Sequence, residues 1–377
     1  MEKETMQAAV QLGYEIPPIN LKYLSELTTP LGVTQQLHVR NEHAVHTLNN
    51  NARALLALCM HYDLTGDKND LAPIYTYFNF VRHCLQPEGY FLNYTDSKGN
   101  FTELNNFTNL ADANGRAIWA LGYLVSLHEK LPTDLVASAE KIMQTVLSKV
   151  NTLHSTRAIA FIIKGLYHYH KVKQSSESLA LINVLADKLV QLYKHESERG
   201  WEWFERYIAY NNSVLPNALL CASLATGNHS YGEIARTSFR FLLSQLITRD
   251  GIQLRREHLP GKEEEAQPAE PSLEVCYIIL ALGDFYHVYG SQEYLQQMER
   301  SFAWFLGENT QKQVFYNRED GACYSDGMAG ESNASACSTL AYLLSRLTLE
   351  KYNQAGLLHA WRGDRPTEHN SDDRQVA

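Results

Sequence analysis

The sequence predicts an all-α protein, an (α/α)6 toroid of helical hairpins whose long loops lie on one face. Three observations predict it. Six similar apolar segments recur along the chain, amphipathic segments alternate with them, and long polar links precede the apolar ones. The six segments are anchored at Ala54, Ala117, Ala158, Ala218, Tyr277 and Ala341. Their spacings of 63, 41, 60, 59 and 64 residues mostly exceed the ~34 to 47 residues of common helical solenoids, so a closed ring fits better.

The apolar segments are predicted to be the inner helices of the ring. They are apolar on nearly every side, and such helices must be buried on most sides. The segments cover residues 51–58, 114–121, 155–162, 215–222, 274–281 and 338–344.

The segments between them are predicted to be outer helices with one wet face. Their apolar residues recur at three and four positions, as in Leu135, Ala139, Ile142 and Val146, which indicates an amphipathic helix. They cover residues 70–86, 133–149, 177–194, 230–246 and 292–306. The sixth outer position is left open between the tail at 351–361 and the N-terminal segment.

The domain organisation follows from this reading. We expect an N-terminal extension at residues 1–45 that packs on the toroid, a single toroid domain at 46–361, and a disordered tail at 362–377. The long links at 88–111, 195–213, 248–272 and 308–336 all precede inner helices. They should therefore gather over the N-termini of those helices and form a cleft, here called the mouth.

Composition and charge limit the kinds of partner. The 33 Lys and Arg residues against 42 Asp and Glu residues give a net charge of −9. This argues against nucleic acid, which requires a concentrated basic face. No apolar run is long enough to span a bilayer, and the six cysteines are scattered. Because residues 1–16 carry charges at once and no apolar stretch, we do not expect a secretory signal there. We expect a cytoplasmic protein without membrane contact, with neither a metal nor a cofactor, whose ligand is an oligosaccharide or a small sugar.

Three arginines open successive inner helices at the same repeat position. Arg53, Arg116 and Arg157 could bind substrate hydroxyls, or each could tie neighbouring loops together through backbone carbonyls. The amides of Asn50 and Asn114 stand beside them and suit sugar hydroxyls. We predict all five as substrate-binding residues, with the structural alternative open.

Carboxylates at the mouth are the candidates for acid–base chemistry. Asp112 lies at the start of the second inner helix, where it could cap the helix or act as a general acid or base. Glycoside hydrolysis needs two such groups, ~6.5 to 9.5 Å apart when a water must fit between them. The candidates for the second are Glu205, Glu270, Glu274 and Asp326. A solvated loop charge is the alternative for each.

An aromatic cluster at residues 201–207 points to carbohydrate. Trp201, Trp203 and Tyr207 stand there with two carboxylates, and aromatic faces against sugar C–H faces are a common way to grip polar ligands with apolar faces. Packing of the loop is the alternative.

A set of ordered motifs carries a family resemblance over roughly residues 20 to 350. The motifs are residues 51–57, 115–122, 201–205, 215–220, 267–270 and 338–344. The set resembles a bacterial family of six-hairpin toroids in the six-hairpin glycosidase-like superfamily, often encoded beside mannoside phosphorylases or fused to glycosyltransferases. The resemblance implies carbohydrate metabolism, with mannose-containing substrates among the options, and a glycosyltransferase or phosphorylase as partner. It also implies Gln267, Asn211 and Asp326 as substrate-binding residues.

The sequence departs from that family at three mouth positions. Carboxylates of the family pattern are replaced by Asn49 and Asn50, by Asn211 and by Cys337. Asp112 and Glu270 remain. An amide cannot exchange a proton as a carboxyl group does, although it still hydrogen-bonds hydroxyls. Binding should therefore survive these replacements better than catalysis.

Three functions follow from these residues. The first is a glycosidase-type enzyme with Asp112 as acid or base, Glu270 or Glu205 as its partner, and Arg116 holding substrate. The second is a carbohydrate-binding or glycosyltransferase-accessory protein on the same scaffold. The third, sugar 2-epimerisation, would need paired histidines, and only His154 and His258 qualify at the mouth.

Overall fold

The structure is a computed structural model that describes residues 15–35, 45–148, 150, 155–248, 251–252, 271–325 and 334–358. In these ranges the α-helices are α1 (Lys22–Leu27), α2 (Leu48–Thr65), α3 (Leu71–Cys84), α4 (Leu104–Phe107), α5 (Ala111–Ser126), α6 (Thr133–Leu147), α7 (Thr156–Lys173), α8 (Ser176–Glu196), α9 (Val214–Thr226), α10 (His229–Leu246), α11 (Pro271–Tyr289), α12 (Gln292–Ala303) and α13 (Ala336–Gln354). The four short strands are β1 (His46–Thr47), β2 (Tyr94–Thr95), β3 (Ile247–Thr248) and β4 (Gly251–Ile252).

Six helices form a closed inner ring. In ring order they are α2, α5, α7, α9, α11 and α13, each packed on the next, and α13 packs back on α2. They are the six apolar segments of the sequence, and their apolar side chains fill the core of the ring. The predicted (α/α)6 toroid is therefore confirmed, and it places α5 opposite α11.

Five outer helices complete helical hairpins with inner ones. α3, α6, α8, α10 and α12 pack on α2, α5, α7, α9 and α11. Glycines end two of the inner helices: Gly66 after α2 and Gly227 after α9 have φ of 67° and 72°, a left-handed conformation that glycine tolerates best. The N-terminal segment supplies a short helix at the sixth position: α1 packs on α13, and Tyr23 donates to the carbonyl of Ala334 at 2.9 Å.

Two of the links that precede inner helices meet above the ring. β1, just before α2, pairs antiparallel with β2 in the link before α5. Asn51 accepts from the amide of Val33 at 2.8 Å, and Asn114 accepts from the amide of Phe91 at 2.7 Å. The same repeat position thus fastens two different links, which fixes the rim of the mouth.

Candidate functional site

The floor of the mouth is a tyrosine shared by two arginines. Tyr277 of α11 accepts from Nε of Arg53 at 3.2 Å and from Nε of Arg116 at 3.3 Å. The guanidinium of Arg116 also lies over the ring of Phe161, 4.7 Å from its centroid. Residues of α2, α5, α7 and α11 thereby meet on the axis of the ring. Desolvated cation–π contacts and buried hydrogen bonds of this kind give a rigid floor.

The amides that open α2 hold those arginines. Asn49 accepts from Arg116 at 2.7 Å, and Asn50 accepts from Arg53 at 3.3 Å. Arg53, Arg116 and Asn50 are all buried. Asn50 thus contacts an arginine rather than an open surface.

Asp112 lies in the first turn of α5, but it does not cap the helix. Its Oδ1 accepts from the hydroxyl of Ser155 at 2.7 Å, and its Oδ2 accepts from the hydroxyl of Tyr210 at 3.3 Å. Arg116 stands 3.8 Å away, and the side chain of Asp112 keeps 17% exposure. Asp112 thereby accepts hydrogen bonds from two hydroxyls and keeps contact with solvent at the rim.

Arg157 and Glu205 form an ion pair that connects α7 to the link before α9. Arg157 pairs with Oε1 of Glu205 and donates from Nε to the carbonyl of Tyr210 at 3.0 Å. It also donates to Thr156 at 2.8 Å and to Asn212 at 3.3 Å. These bonds engage each nitrogen of the guanidinium and favour the structural alternative for Arg157, and its contact with substrate stays a prediction.

Glu274 is the most deeply buried of the mouth carboxylates that the structure describes, at 3% exposure. Its Oε1 accepts from the backbone and the side-chain amide of Asn212, both at 3.0 Å. Its Oε2 is buried and has no hydrogen-bond partner among the described residues. Burial raises the pKa of Glu274, against the lowering effect of Asn212 and Arg157. Glu274 therefore favours the protonated form more than an exposed glutamate does.

The structure gathers Asp112, Glu205 and Glu274 around one segment, residues 205–212. Tyr210 and Asn212 of this segment contact Asp112 and Glu274 respectively. Asp112 and Glu274 come from the first turns of α5 and α11, which lie on opposite sides of the ring. Below them, the contact between Arg116 and Tyr277 shows that side chains of these two helices meet on the axis.

The predicted sugar contact of the tryptophans is wrong for Trp203, and the same reasoning removes Trp201. Trp203 is 0% exposed and packs edge-on against Phe204 at 5.3 Å between centroids. Trp201 packs against Phe241 at 5.2 Å and donates to the carbonyl of Glu205 at 2.8 Å. An aromatic ring without a free face cannot stack on a sugar, so these rings are loop core. Tyr207 is half-buried.

Asn114 is corrected as well. Its amide donates to the carbonyls of Phe91 and Leu110, both at 2.9 Å, in addition to accepting from Phe91. Its hydrogen-bonding capacity is used on backbone. Asn211 is buried with φ of 48°, a left-handed conformation that asparagine tolerates better than most residues.

Several predicted residues lie outside the described ranges. They are Glu270, Gln267 and Asp326, with the candidate epimerase histidines His154 and His258. Among the residues that the structure does describe, no group of three or more His, Cys, Asp or Glu could hold a metal ion, and no helix is long and apolar enough to cross a membrane.

Sequence reasoning missed the two tyrosines that organise the mouth. Tyr277 was used only to align the repeats, and no role was predicted for Tyr210, which precedes Asn211. Tyr277 could have been noticed, because the other five alignment positions are alanines. A tyrosine at the position where small residues line the ring implies that its hydroxyl reaches the axis.

The sequence matches no family model and no curated protein. Its fold is similar to that of solved sugar-processing proteins. A cellobiose 2-epimerase from Bacillus thermoamylovorans is 13% identical with a TM-score of 0.66, over 89% of this chain and 96% of that one. A GH76 α-1,6-mannanase from a Salegentibacter species is 13% identical with a TM-score of 0.60, over 90% and 98%.

A third similar structure, a D-mannose isomerase, is 12% identical with a TM-score of 0.62, over 88% of this chain and 96% of that one. These similarities are similarities of fold, and they agree with the (α/α)6 toroid formed by the inner and outer helices. A shared toroid does not by itself carry the function, which has to be argued from the mouth.

Proposed function

We propose that this chain is a glycosidase-type enzyme that processes an oligosaccharide in the mouth, with Glu274 as the acid and Asp112 as the base. One observation carries the proposal: two carboxylates from opposite inner helices stand at the mouth in contrasting environments. Two carboxyl groups whose surroundings separate their protonation behaviour are the usual basis of acid–base assignment.

The surroundings of each carboxylate suit its role. Burial raises the pKa of Glu274, and the unpartnered Oε2 is the atom from which a proton could be given to a leaving oxygen. Asp112 accepts from two hydroxyls and keeps contact with solvent, as a base that activates water requires. In glycoside hydrolysis the acid protonates the glycosidic oxygen while the base draws a proton from the attacking water.

The substrate class is inferred from the similar structures. They are described as a cellobiose epimerase, a mannanase and a mannose isomerase, and a variant of the mannanase is described in complex with α-1,6-mannotriose. We take mannose-containing oligosaccharides as the first class to test. Arg116, fixed by Asn49 and Tyr277 beneath Asp112, is the residue best placed to orient a hydroxyl.

The test is hydrolysis of α-1,6-mannotriose and of a panel of gluco- and manno-oligosaccharides. Asp112→Asn and Glu274→Gln should each lower kcat at least about 100-fold, the usual range for a lost general acid or base, without a fall in Tm that would explain the loss. Glu103→Gln, an exposed residue of the mouth link before α5, is the matched control and should keep full activity. Turnover at the wild-type rate in either site variant would contradict the assignment.

The alternative is a carbohydrate-binding protein, and a specific observation favours it. Amides occupy the start of α2, where Asn49 and Asn50 hold the floor arginines. The mannanase variant with two consecutive aspartates replaced by asparagine is described as inactive and is nonetheless in complex with mannotriose. Saturable sugar binding by the wild-type chain, with no turnover on the whole panel, would favour this alternative.

Two finer expectations from the sequence stand as proposals beside the activity: a cytoplasmic location in a bacterium, and a glycosyltransferase or mannoside phosphorylase as partner. Recovery of such an enzyme with the tagged chain from its own host is the result expected. Recovery of the chain alone would count against a stable partner.

A further inference from the structure

A second cavity lies on the other side of the floor, towards the C-terminal ends of the inner helices. It has a volume of about 130 Å³ and is lined by residues of α2, α5, α7, α11 and α13. Trp119, which lines this cavity, stacks on Phe161 with centroids 5.7 Å apart and stands 6.2 Å from Tyr277. The aromatic floor therefore separates this cavity from the mouth.

The cavity contains a buried lysine without an anionic partner. Lys164 of α7 is 3% exposed, and its Nζ lies over Trp119, 4.1 Å from the ring centroid. In the part of the chain that the structure describes, no carboxylate lies within ion-pair distance of this ammonium. A buried charge is costly unless it is paired, and a single cation–π contact offsets only about 2 kcal/mol of that cost.

Two further basic side chains line the cavity, His168 from α7 and Lys351 from α13. His168 stands one turn beyond Lys164, and its pKa is lowered to about 3 by desolvation and by Lys164, Lys171 and Lys351. Its imidazole is therefore neutral at neutral pH and can share a hydrogen bond. Lys351 is exposed and lines the cavity from α13, so it marks where the cavity meets solvent.

The carboxylates that line the cavity have partners of their own. Asp284 accepts from the side-chain amide of Asn217 at 2.9 Å, and Asp63 pairs with Lys130 on the outer surface. Burial and these two aspartates raise the pKa of Tyr123, which keeps its hydroxyl protonated. Neither aspartate forms an ion pair with Lys164, and Trp119 and Tyr123 give the cavity an aromatic wall.

We propose that this cavity binds a small organic anion, a carboxylate or phosphate ester of about monosaccharide size, with Lys164 as its ion-pair partner. One water needs about 10 to 15 Å³ of such space, so the cavity holds several waters or one ligand of this size. The anionic group pairs with Lys164, His168 shares a hydrogen bond with it, and the aromatic wall covers its carbon skeleton. This site is independent of the mouth and of any activity there.

Calorimetric titration of the full chain tests the proposal with four probes: inorganic phosphate, glucose 6-phosphate, glucuronate and uncharged glucose. Glucose 6-phosphate or glucuronate should bind with one site per chain, and phosphate should compete. Lys164→Met keeps the aliphatic stem and should weaken binding at least about 30-fold, because it removes one partner of a buried charge pair. Lys141→Met, an exposed lysine on α6, should bind as the wild type does.

Two further variants keep the test decisive. Lys351→Met changes only the exposed rim, so it should fold normally and weaken anion binding by about two- to fivefold, as for a partly screened charge. Asp112→Asn should leave anion binding intact, which separates this site from the mouth. Three results would overturn the proposal: no anion binds, glucose binds as tightly as its phosphate, or the anion affinity is unaltered in both Lys164→Met and Lys351→Met.

Discussion

Glu274 is a carboxyl group whose burial has a measurable consequence for stability. Its pKa in the folded chain is raised above 4.5, so the folded state keeps a proton that the unfolded state releases as the pH rises. The stability linked to this proton is fully present below the unfolded pKa and is lost as the pH rises through the folded pKa.

We predict that Glu274→Gln gains stability relative to the wild type as the pH rises from 4 to 8. Glutamine retains the acceptor for Asn212 and has no proton to lose, so only the wild type loses the stability linked to this proton across the range. Urea unfolding of both proteins at pH 4, 6 and 8 measures the difference in free energy of unfolding. A difference that stays constant or shrinks with pH would show that the carboxyl is not held protonated.

For single residues, the sequence predicted position at the mouth better than it predicted the role of each side chain. The three arginines and Asp112 lie where the repeat placed them. The tryptophans of 201–207 were misassigned, because a ring in a polar loop has the same sequence whether it faces a ligand or packs against Phe241. Asn114 was misassigned for a related reason: its backbone partners come from Phe91, 23 residues earlier.

Helices α5 and α7 approach each other closely enough to bring their backbones into contact. A methyl group at Gly122 would collide with the carbonyl oxygen of Gly165, and one at Gly165 would collide with the carbonyl oxygen of Ile118. Backbone cannot move aside as a side chain can, so these two helices approach as closely as they do only with glycine at both positions. The shortest anchor spacing, 41 residues, falls at this pair of inner helices.

Gly122→Ala should therefore destabilise the fold by about 3 kcal/mol, the upper part of the range for overpacked cores. Gly232→Ala in α10 is the matched control. There a methyl group meets chiefly the hydroxyl of Ser223 at 3.0 Å, and alanine favours helix by about 1 kcal/mol. Thermal unfolding of both variants measures the difference in stability. A Gly122→Ala protein as stable as the Gly232→Ala control would refute the close contact between α5 and α7.

Helix positions were predictable because burial imposes a period on the sequence. The outer segments at 133–149 and 230–246 fall within about two residues of α6 and α10. The partner of α13 stayed open, since α1 has only six residues and shows too few turns for a period. The links between helices have no periodic spacing of apolar residues. Their contacts depend on the folded ring that they cover and could not be predicted from the sequence.

On the scale of the whole molecule, ring closure joins residues far apart in sequence. Arg53 and Tyr277, 224 positions apart, meet on the axis and divide it into a mouth and a second cavity. The sequence predicted the ring and the mouth from the repeat. It did not predict the second cavity, which is built around Lys164 and His168, one turn apart on the inner helix α7.

The proposed activity requires Asp112 and Glu274 to face a sugar bound between them. A crystal structure of Glu274→Gln soaked with α-1,6-mannotriose tests this, because the variant should bind substrate without cleaving it. We predict a glycosidic oxygen within hydrogen-bond distance of residue 274, with Asp112 on the opposite face of the sugar ring. A sugar bound away from both residues, or a mouth that stays empty at saturating mannotriose and cello-oligosaccharide, would contradict the account.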